Sequence, residues 1–404
     1  VPLEPSAALV DQAARLLADA QAPLIHAGSG VLHAMATEEL AVIAQLLDAP
    51  ITTSWGGRDT VDERLDQSLP MIHTQLVDQA RNEADVVLAV GSRMGETDWW
   101  AKAPHWRRGN VQKLIQVDND EELLGLNKPV DVAVLADAKV FLARLADRLS
   151  ADDLADSLTS HRQARRERVA GYAATKNALQ GGYAAALATP SDPLHTAHLP
   201  ATMQRVLPQD TIFVVDGGTT SVWANLYHEV RQPHSMLSTF DKFGMLGAGV
   251  PQALGAKVAA PDRFVSVLTG DGAFGMHPQE IETAVRAGLP VLVVVVVDRA
   301  WGMVKTTQEM SIDSTALFSK GGIEPEQLIN TNFSEIRYDL MAESMGGKGL
   351  RVSASEDLEA TLTTARDLVL AGHPVVVHAD VDQVAHKFAP ILMAFKEMQA
   401  EPAG

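Results

Sequence analysis

The feature that most constrains the fold of this chain is an uninterrupted apolar run at residues 291–297, valine throughout except for one leucine. β-Branched residues favour strands, and a strand that is apolar on both faces is typical of the centre of a parallel sheet. A helix-like segment precedes this run, and a further strand candidate at residues 264–268 precedes that helix. The pattern predicts a strand–helix–strand unit within an α/β fold.

Short apolar runs alternate with helix-like segments in two stretches of the 404-residue chain. We therefore predict two doubly wound parallel-sheet domains, residues 1–150 and 197–404, joined by a helical and extended linker at 151–196. A basic run within the linker, residues 161–168, is interpreted as a solvated helix face. The strand candidates are 23–27, 51–53, 85–90, 113–117 and 132–135, followed by 211–215, 264–268, 291–297, 350–352 and 374–379.

Composition excludes several classes of protein. The chain has 33 basic and 51 acidic residues and a net charge of −18, so we expect no nucleic-acid partner. Cysteine is absent, which excludes disulfides, thiolate metal sites and a cysteine nucleophile and fits a reducing compartment. The longest apolar run, 289–297, is far shorter than the ~20 residues that span a bilayer, and we predict a cytoplasmic protein without a membrane partner.

Two aspartates follow successive strands of the second domain. Asp271 stands between Gly270 and Gly272 at the end of one predicted strand, and Asp298 ends the next. Parallel strands joined by one crossover helix are usually neighbours, so both carboxylates should reach the same edge of the sheet, where ligands of such sheets bind. Paired carboxylates suit Mg²⁺ or Ca²⁺, and the glycines let backbone amides approach an anion. The alternative is that Asp298 only caps a turn.

Residues 270–304 closely resemble the thiamine-diphosphate-binding motif of the acetolactate synthase and pyruvate decarboxylase superfamily, a Gly-Asp-Gly followed at this interval by an asparagine pair. The resemblance implies that Mg²⁺ is held by the carboxylates of Asp271 and Asp298 and by the backbone carbonyl of Ala300. The chain departs from the motif because Val297 and Asp298 stand where the family usually has two asparagines, which adds a negative charge beside the diphosphate.

The same resemblance implies further contacts with thiamine diphosphate. A turn at 215–223 matches the family's second diphosphate-binding turn, and residues 244–251 match its segment under the cofactor, where Gly244 would accept a hydrogen bond through its carbonyl and Leu246 would prop the bent cofactor. The alternatives are helix capping for the threonines of the turn and core packing for Leu246. The implied cofactor-binding residues are Gly218, Thr219, Thr220, Gly244, Leu246, Gly270, Asp271, Gly272, Ala273 and Met303.

The first domain resembles the central domain of the same family, which binds FAD in some members, another nucleotide in others and nothing in many. Gly28-Ser29-Gly30 follows a strand as a nucleotide turn would, and Asp118 ends another strand. Plain structural loops are the alternative. A nicotinamide-dependent dehydrogenase is disfavoured because the third glycine of its motif is missing after Gly30.

Family members normally begin with a further α/β domain that binds the pyrimidine ring and supplies an activating glutamate, and we find no such domain here. We therefore expect no catalytic residue in this chain and a homo- or hetero-oligomer with a separate pyrimidine-binding subunit; a fragment of a longer chain is the alternative. The implied activity is decarboxylation of a small 2-oxo acid and transfer of the acyl unit to an acceptor, as in acetolactate synthase. Alternatives are decarboxylation without ligation and a non-catalytic nucleotide-binding assembly subunit.

One position bears on the acceptor. The acetolactate synthase branch usually has a tryptophan four residues after the methionine that corresponds to Met303, and this chain has Thr307 there. That tryptophan is associated with a preference for larger acceptor 2-oxo acids. Its absence argues against specificity for such acceptors.

Overall fold

A computed structural model of the chain describes residues 2–108, 111–238, 244–313, 315 and 323–387. These residues fall into two compact units. The first runs through Gly182 and includes Val230–His234, and the second contains Tyr183–Glu229 and continues from Ser235. Within the described residues, no helix is both long enough and apolar enough to cross a membrane.

The first unit is built on a six-stranded sheet in which all paired strands are parallel. Its strands are β1 (Pro23–Ala27), β2 (Ile51–Thr53), β3 (Ser68–Leu69), β4 (Val86–Val90), β5 (Lys113–Asp118) and β6 (Val132–Leu135). Its helices are α1 (Ala7–Asp19), α2 (Ser29–His33), α3 (Thr37–Leu47), α4 (Thr74–Glu83), α5 (Ala138–Leu149) and the long α6 (Ala155–Ala186), which continues into the second unit. The order β3-β2-β1-β4-β5-β6 reverses direction between β1 and β4.

The second unit also has a six-stranded parallel sheet. Its strands are β7 (Ile212–Asp216), β8 (Met236–Ser238), β9 (Val265–Gly270), β10 (Leu292–Val297), β11 (Lys348–Val352) and β12 (Val375–Asp380). Its helices are α7 (His198–Val206), α8 (Thr219–Tyr227), α9 (Gly249–Ala259), α10 (Asp271–Phe274), α11 (Glu280–Ala287), α12 (Gly302–Ile312), α13 (Tyr338–Ser344), α14 (Ser355–Leu370) and α15 (Gln383–Lys387).

The valine-rich strand β10 lies inside the second sheet, between β9 and β12. All six of its residues are buried, which explains why both of its faces are apolar. Its register pairs Val296 with Gly270, so β9 and β10 end side by side. The sheet order β11-β12-β10-β9-β7-β8 changes direction between β7 and β9, the kind of place where open α/β sheets form a ligand crevice.

The predicted fold class, two doubly wound parallel-sheet domains, is confirmed, and the ten predicted strands are present within one residue or two at each end. The prediction missed β3 and β8, two edge strands of only two and three residues. The equally short β2 was predicted because its residues, Ile51, Thr52 and Thr53, are all β-branched, a strand signal that β3 and β8 lack.

The long helix α6 contains a buried cation that the sequence did not distinguish from its neighbours. Most of the basic run at 161–168 is exposed or half-buried, but Arg165 is only 2% exposed. Its guanidinium donates to the carbonyls of Leu17, Ala18 and Ala20 at the end of α1 and to that of Leu47 at the end of α3. A cation there satisfies carbonyls that the helices themselves leave unpaired.

We expect Arg165→Met to lower the free energy of unfolding by about 3 kcal/mol, because it leaves several buried carbonyls without a donor. Urea denaturation followed by circular dichroism measures the change. Arg166→Met is the matched control: the Arg166 side chain is exposed and bonds Asp48, so its loss should change stability by less than about 1 kcal/mol. Equal losses in the two variants would contradict this account of Arg165.

Candidate functional site

The carboxyl ends of β7, β9 and β10 surround a cavity that is partly open to solvent. Three loops contribute most of its walls: the turn before α8, the turn before α10 and the segment between β10 and α12. The cavity therefore lies where the strand order changes direction, between β7 and β9. Its lining residues are Gly217, Gly218, Thr219, Thr220, Leu246, Gly270, Asp271, Gly272, Ala273, Asp298, Ala300, Trp301, Gly302, Met303, Val304 and His386.

Asp271 and Asp298 both line this cavity, and their carboxyl groups lie close enough to interact electrostatically. Asp271 accepts hydrogen bonds from the backbone amides of Gly272 and Arg299, both at 2.8 Å. Asp298 accepts one from the amide of Ala300 at 3.1 Å. These amide contacts fix both carboxylates, and the register of β9 and β10 brings them together.

The negative charge of the aspartate pair is only partly compensated, by Lys305, whose charge lowers the pKa of Asp298. Burial raises the pKa of Asp271, and the neighbouring Asp298 carboxylate raises it further; burial also raises the pKa of Asp298. The cationic side chains that follow in the chain bond elsewhere: Arg299 contacts Glu335 and Asp380, and Lys305 contacts Asn332 and Gln383. A divalent cation between the two carboxylates would remove their repulsion.

The protein supplies only part of a coordination shell for such a cation. Ala300 is buried. Its two neighbours, Arg299 and Trp301, form the backbone hydrogen bonds to residues 331–333, and the Ala300 carbonyl takes no part in them. Within the described residues, no group of three His, Cys, Asp or Glu side chains is placed to hold a metal. Mg²⁺ commonly binds to one or two carboxylates and completes its shell with substrate phosphates and water.

The start of α8 provides a place for an anion. Thr219 is 2% exposed, and its hydroxyl is buried in the cavity wall without a hydrogen-bonding partner. Beside it, a Cβ at Gly218 would lie 2.7 Å from the Cβ of Met303, so this turn requires glycine. An unpaired hydroxyl at a helix N-terminus is a donor available to a phosphate oxygen. These residues, together with the aspartate pair, fit a metal–diphosphate group.

The segment carrying Leu246 is held from two sides. Asp216, the last residue of β7, accepts hydrogen bonds from the amides of Gly247, at 3.3 Å, and Gly249, at 2.7 Å. The His277 ring contacts the Gly247 carbonyl at 2.8 Å. Leu246 is thereby kept in the cavity wall rather than in the core, where it would be fully buried.

Most of the residues implied by the motif come together in the cavity, with one exception. Gly244 is exposed, follows the undescribed residues 239–243 and does not line the cavity. Trp301 and Gly302 were not anticipated. Trp301 packs so closely on Gly272 that a Cβ there would lie 2.7 Å from the ring, and a Cβ at Gly302 would lie 2.9 Å from the Asp298 carboxylate.

Another lining residue that sequence reasoning missed is His386, on α15. Its Nδ1 lies 2.9 Å from the Thr196 hydroxyl, and its Nε2 lies 3.7 Å from the Asp298 carboxylate. Burial lowers the pKa of His386 to about 3, so the ring is neutral. No local motif surrounds it, and only the folding of α15 onto α8 and α12 brings it to the cavity.

The predicted nucleotide turn of the first unit has a different geometry. A Cβ at Gly28 would lie 2.0 Å from the Gly91 carbonyl oxygen, and one at Gly30 would lie 2.6 Å from the Gly91 Cα. The amides of Gly28 and Gly30 donate to the carbonyls of Val90 and Gly91. Packing between the ends of β1 and β4 accounts for both glycines, while Asp118 accepts a hydrogen bond from the amide of Asp120. Nucleotide binding in this unit stays a prediction.

Comparison with known families gives two matches. Residues 216–379 match the C-terminal TPP binding domain of thiamine pyrophosphate enzymes, and residues 10–145 match the central domain of these enzymes. Together the matches cover about three quarters of the chain. All residues that line the cavity, apart from His386, fall in the first of these ranges.

Individual relatives carry related names. The chain is 31% identical to a sulfoacetaldehyde acetyltransferase of Alcaligenes xylosoxydans xylosoxydans over 386 residues, which are 89% of this chain and 60% of the relative. It is 28% identical to the acetolactate synthase large subunit of Corynebacterium glutamicum, over 92% of this chain and 56% of the relative. A probable acetolactate synthase large subunit of Methanococcus aeolicus is 27% identical, over 88% and 58%. The chain thus spans 60% or less of the length of these curated relatives.

We expect Thr219→Val to raise the free energy of unfolding of the ligand-free protein by about 1 kcal/mol, because it removes a buried hydroxyl that has no partner. Thr306→Val is the matched control. Thr306 is equally buried but donates to the Gly302 carbonyl at 2.9 Å, so its loss should cost about 1 kcal/mol. Chemical denaturation of both variants checks the opposite signs, and destabilisation in both would contradict the assignment of Thr219.

Proposed function

Because this chain belongs to the thiamine pyrophosphate enzymes, we propose that its second unit binds thiamine diphosphate through Mg²⁺ and serves an enzyme that transfers an acyl unit. The observation that carries the proposal is the buried pair Asp271 and Asp298, which adjoins the unpaired Thr219 hydroxyl in one cavity. A cation between the two carboxylates and an anion at the hydroxyl would together satisfy this combination.

In this proposal the residues of the cavity divide into two groups. Asp271 and Asp298 hold Mg²⁺ through their carboxylates, and Ala300 holds it through its carbonyl. The diphosphate is bound by the start of α8 and by the glycine turn after β9, where backbone amides and the positive end of a helix favour an anion. The residues assigned to the diphosphate are Gly218, Thr219, Thr220, Gly270, Gly272 and Ala273.

When bound, thiamine diphosphate supplies the electron sink that lets a 2-oxo acid lose carbon dioxide and pass its acyl unit to an acceptor. Around it, Leu246 and Met303 offer an apolar wall, and Val304, at the mouth of the cavity, is 49% exposed. These side chains exclude water from one side of the cavity and orient what binds there. Gly244 does not line this cavity, and its role as a carbonyl acceptor rests on the family resemblance alone.

A pyrimidine-binding domain outside these two units completes the proposed enzyme. No glutamate is among the cavity-lining residues of the described chain, although an activating glutamate is expected for this chemistry. We propose that a separate subunit supplies the glutamate within an oligomer, so that the chain alone binds the cofactor but does not turn over a 2-oxo acid.

Two acceptor classes remain open within this proposal. The names of the relatives include an acetyltransferase of sulfoacetaldehyde and synthases of acetolactate. Thr307, in place of the tryptophan described above, argues against large 2-oxo acids as acceptors, which favours the acetyltransferase type. Product analysis with pyruvate and with sulfoacetaldehyde, after addition of a pyrimidine-binding subunit, separates these two from decarboxylation without ligation.

We expect thiamine diphosphate to bind the purified chain only with Mg²⁺, and Asp271→Ala to weaken that binding about a hundredfold or more, because it removes a metal ligand. Isothermal titration calorimetry with and without Mg²⁺ measures both effects. Asp298→Asn keeps an oxygen at the same position and should bind within about tenfold of the original chain.

Asp262→Ala, an exposed site between α9 and β9, is the control for nonspecific effects and should leave binding unchanged. Binding that does not depend on Mg²⁺ or on Asp271 would refute the proposal. Tight binding of ADP in place of thiamine diphosphate would favour a nucleotide-binding assembly subunit.

A further inference from the structure

The residue between two proposed metal ligands adopts a conformation that its side chain disfavours. Arg299 stands between Asp298 and Ala300 with a φ of +59°. A residue with a Cβ pays a steric penalty in this left-handed region, which glycine does not. In this conformation the Arg299 amide donates to the Asp271 carboxylate at 2.8 Å. The unusual backbone thus ties the end of β10 to the aspartate at the end of β9.

The Arg299 side chain is anchored in a ring of alternating charges. Its guanidinium donates to Asp380, the last residue of β12, at 2.6 Å, and to Glu335 at 2.8 Å. Arg351 of β11 closes the ring, with contacts to Asp380 at 2.6 Å and to Glu335 at 3.4 Å. We call these four residues the Arg299 ring. None of its members lines the cavity in the described part of the chain.

Backbone contacts support the same loop from a second direction. The Phe333 amide donates to the Arg299 carbonyl at 2.7 Å, and the Trp301 amide donates to the Thr331 carbonyl at 2.8 Å. Both sides of Arg299 are therefore fixed, and the side-chain ring adds a third anchor at β12. A left-handed backbone conformation is maintained at a residue with a side chain when several surrounding contacts hold it, as they do here.

We infer that Arg299 is a positioning residue, and that the Arg299 ring holds its backbone so that Asp271 and the Ala300 carbonyl face one metal ion. This inference rests on the proposed function. The outer pairs of the ring contribute little to stability: the side chains of Arg299, Arg351 and Glu335 are 37%, 36% and 55% exposed, and exposed ion pairs stabilise weakly. Asp380 is only 9% exposed, so the anchor on β12 is the buried part of the ring. Its effect is expected in the metal site, because partners of metal ligands commonly alter metal affinity ten- to hundredfold.

The test is a titration of Mg²⁺ at a fixed concentration of thiamine diphosphate, followed by calorimetry and by tryptophan fluorescence, since Trp301 lines the cavity. We expect Arg299→Ala and Asp380→Asn each to weaken Mg²⁺ binding about tenfold or more. A direct Coulomb effect on the cation would have opposite signs in these two variants, because one removes a positive charge and the other a negative one.

Arg299→Gly tests the backbone conformation itself. Glycine adopts the left-handed conformation without the steric penalty, so this variant should bind Mg²⁺ more tightly than Arg299→Ala although both lack the guanidinium. The control is Arg286→Ala, which breaks the exposed Arg286–Glu282 pair on α11 and should change neither affinity nor stability appreciably. Denaturation curves for each variant separate loss of folding from loss of binding.

The outcomes distinguish a failure of this inference from a failure of the proposed function. Weaker Mg²⁺ binding in Arg299→Ala, with partial recovery in Arg299→Gly and unchanged denaturation midpoints, supports the positioning role. Affinity in Arg299→Ala equal to that of the original chain, or equal affinity in the alanine and glycine variants, overturns it. Failure of the original chain to bind thiamine diphosphate with Mg²⁺ overturns the proposed function and this inference together.

Discussion

The parallel pairing of β9 with β10 is the constraint on which the site depends. Their register sets Val296 opposite Gly270, so Asp271 and Asp298, the residues that follow the two strands, enter the same cavity. Two buried carboxylates this close destabilise one another in the absence of a cation. β10 is fully buried and apolar, and the burial of this strand stabilises the fold. That stabilisation offsets the repulsion between the two carboxylates and keeps them in place.

Strand-level features were predictable from the sequence because they are local. Apolar runs identified ten strands, and the spacing of Asp271 and Asp298 identified the edge where they meet. The burial of Arg165 and the approach of His386 to Asp298 were not predictable, since each depends on helices far apart in sequence. The role of Asp216 was within reach, because it follows a predicted strand and precedes two glycines, and a carboxylate at such a turn can accept hydrogen bonds from loop amides.

The cavity is shaped as much by residues behind its wall as by those in it. Asp216 and His277 fix the loop that presents Leu246, and the Arg299 ring fixes the loop that presents Asp298 and Ala300. Hydrogen bonds of this kind orient ligands without touching what is bound, and supporting partners are as necessary to a site as the ligands themselves. The family motif covers the residues in the wall but not this support.

The two sheets have crevices of opposite character. In the second unit, the change of strand direction opens into a cavity. At the corresponding place in the first unit, Gly28 and Gly30 pack directly against Gly91. The amides of these two glycines already donate to the carbonyls of Val90 and Gly91. A nucleotide phosphate that bonded the amides of Gly28 and Gly30 would have to break these two backbone hydrogen bonds. A nucleotide bound at this edge of the sheet would therefore take its phosphate contacts from other donors.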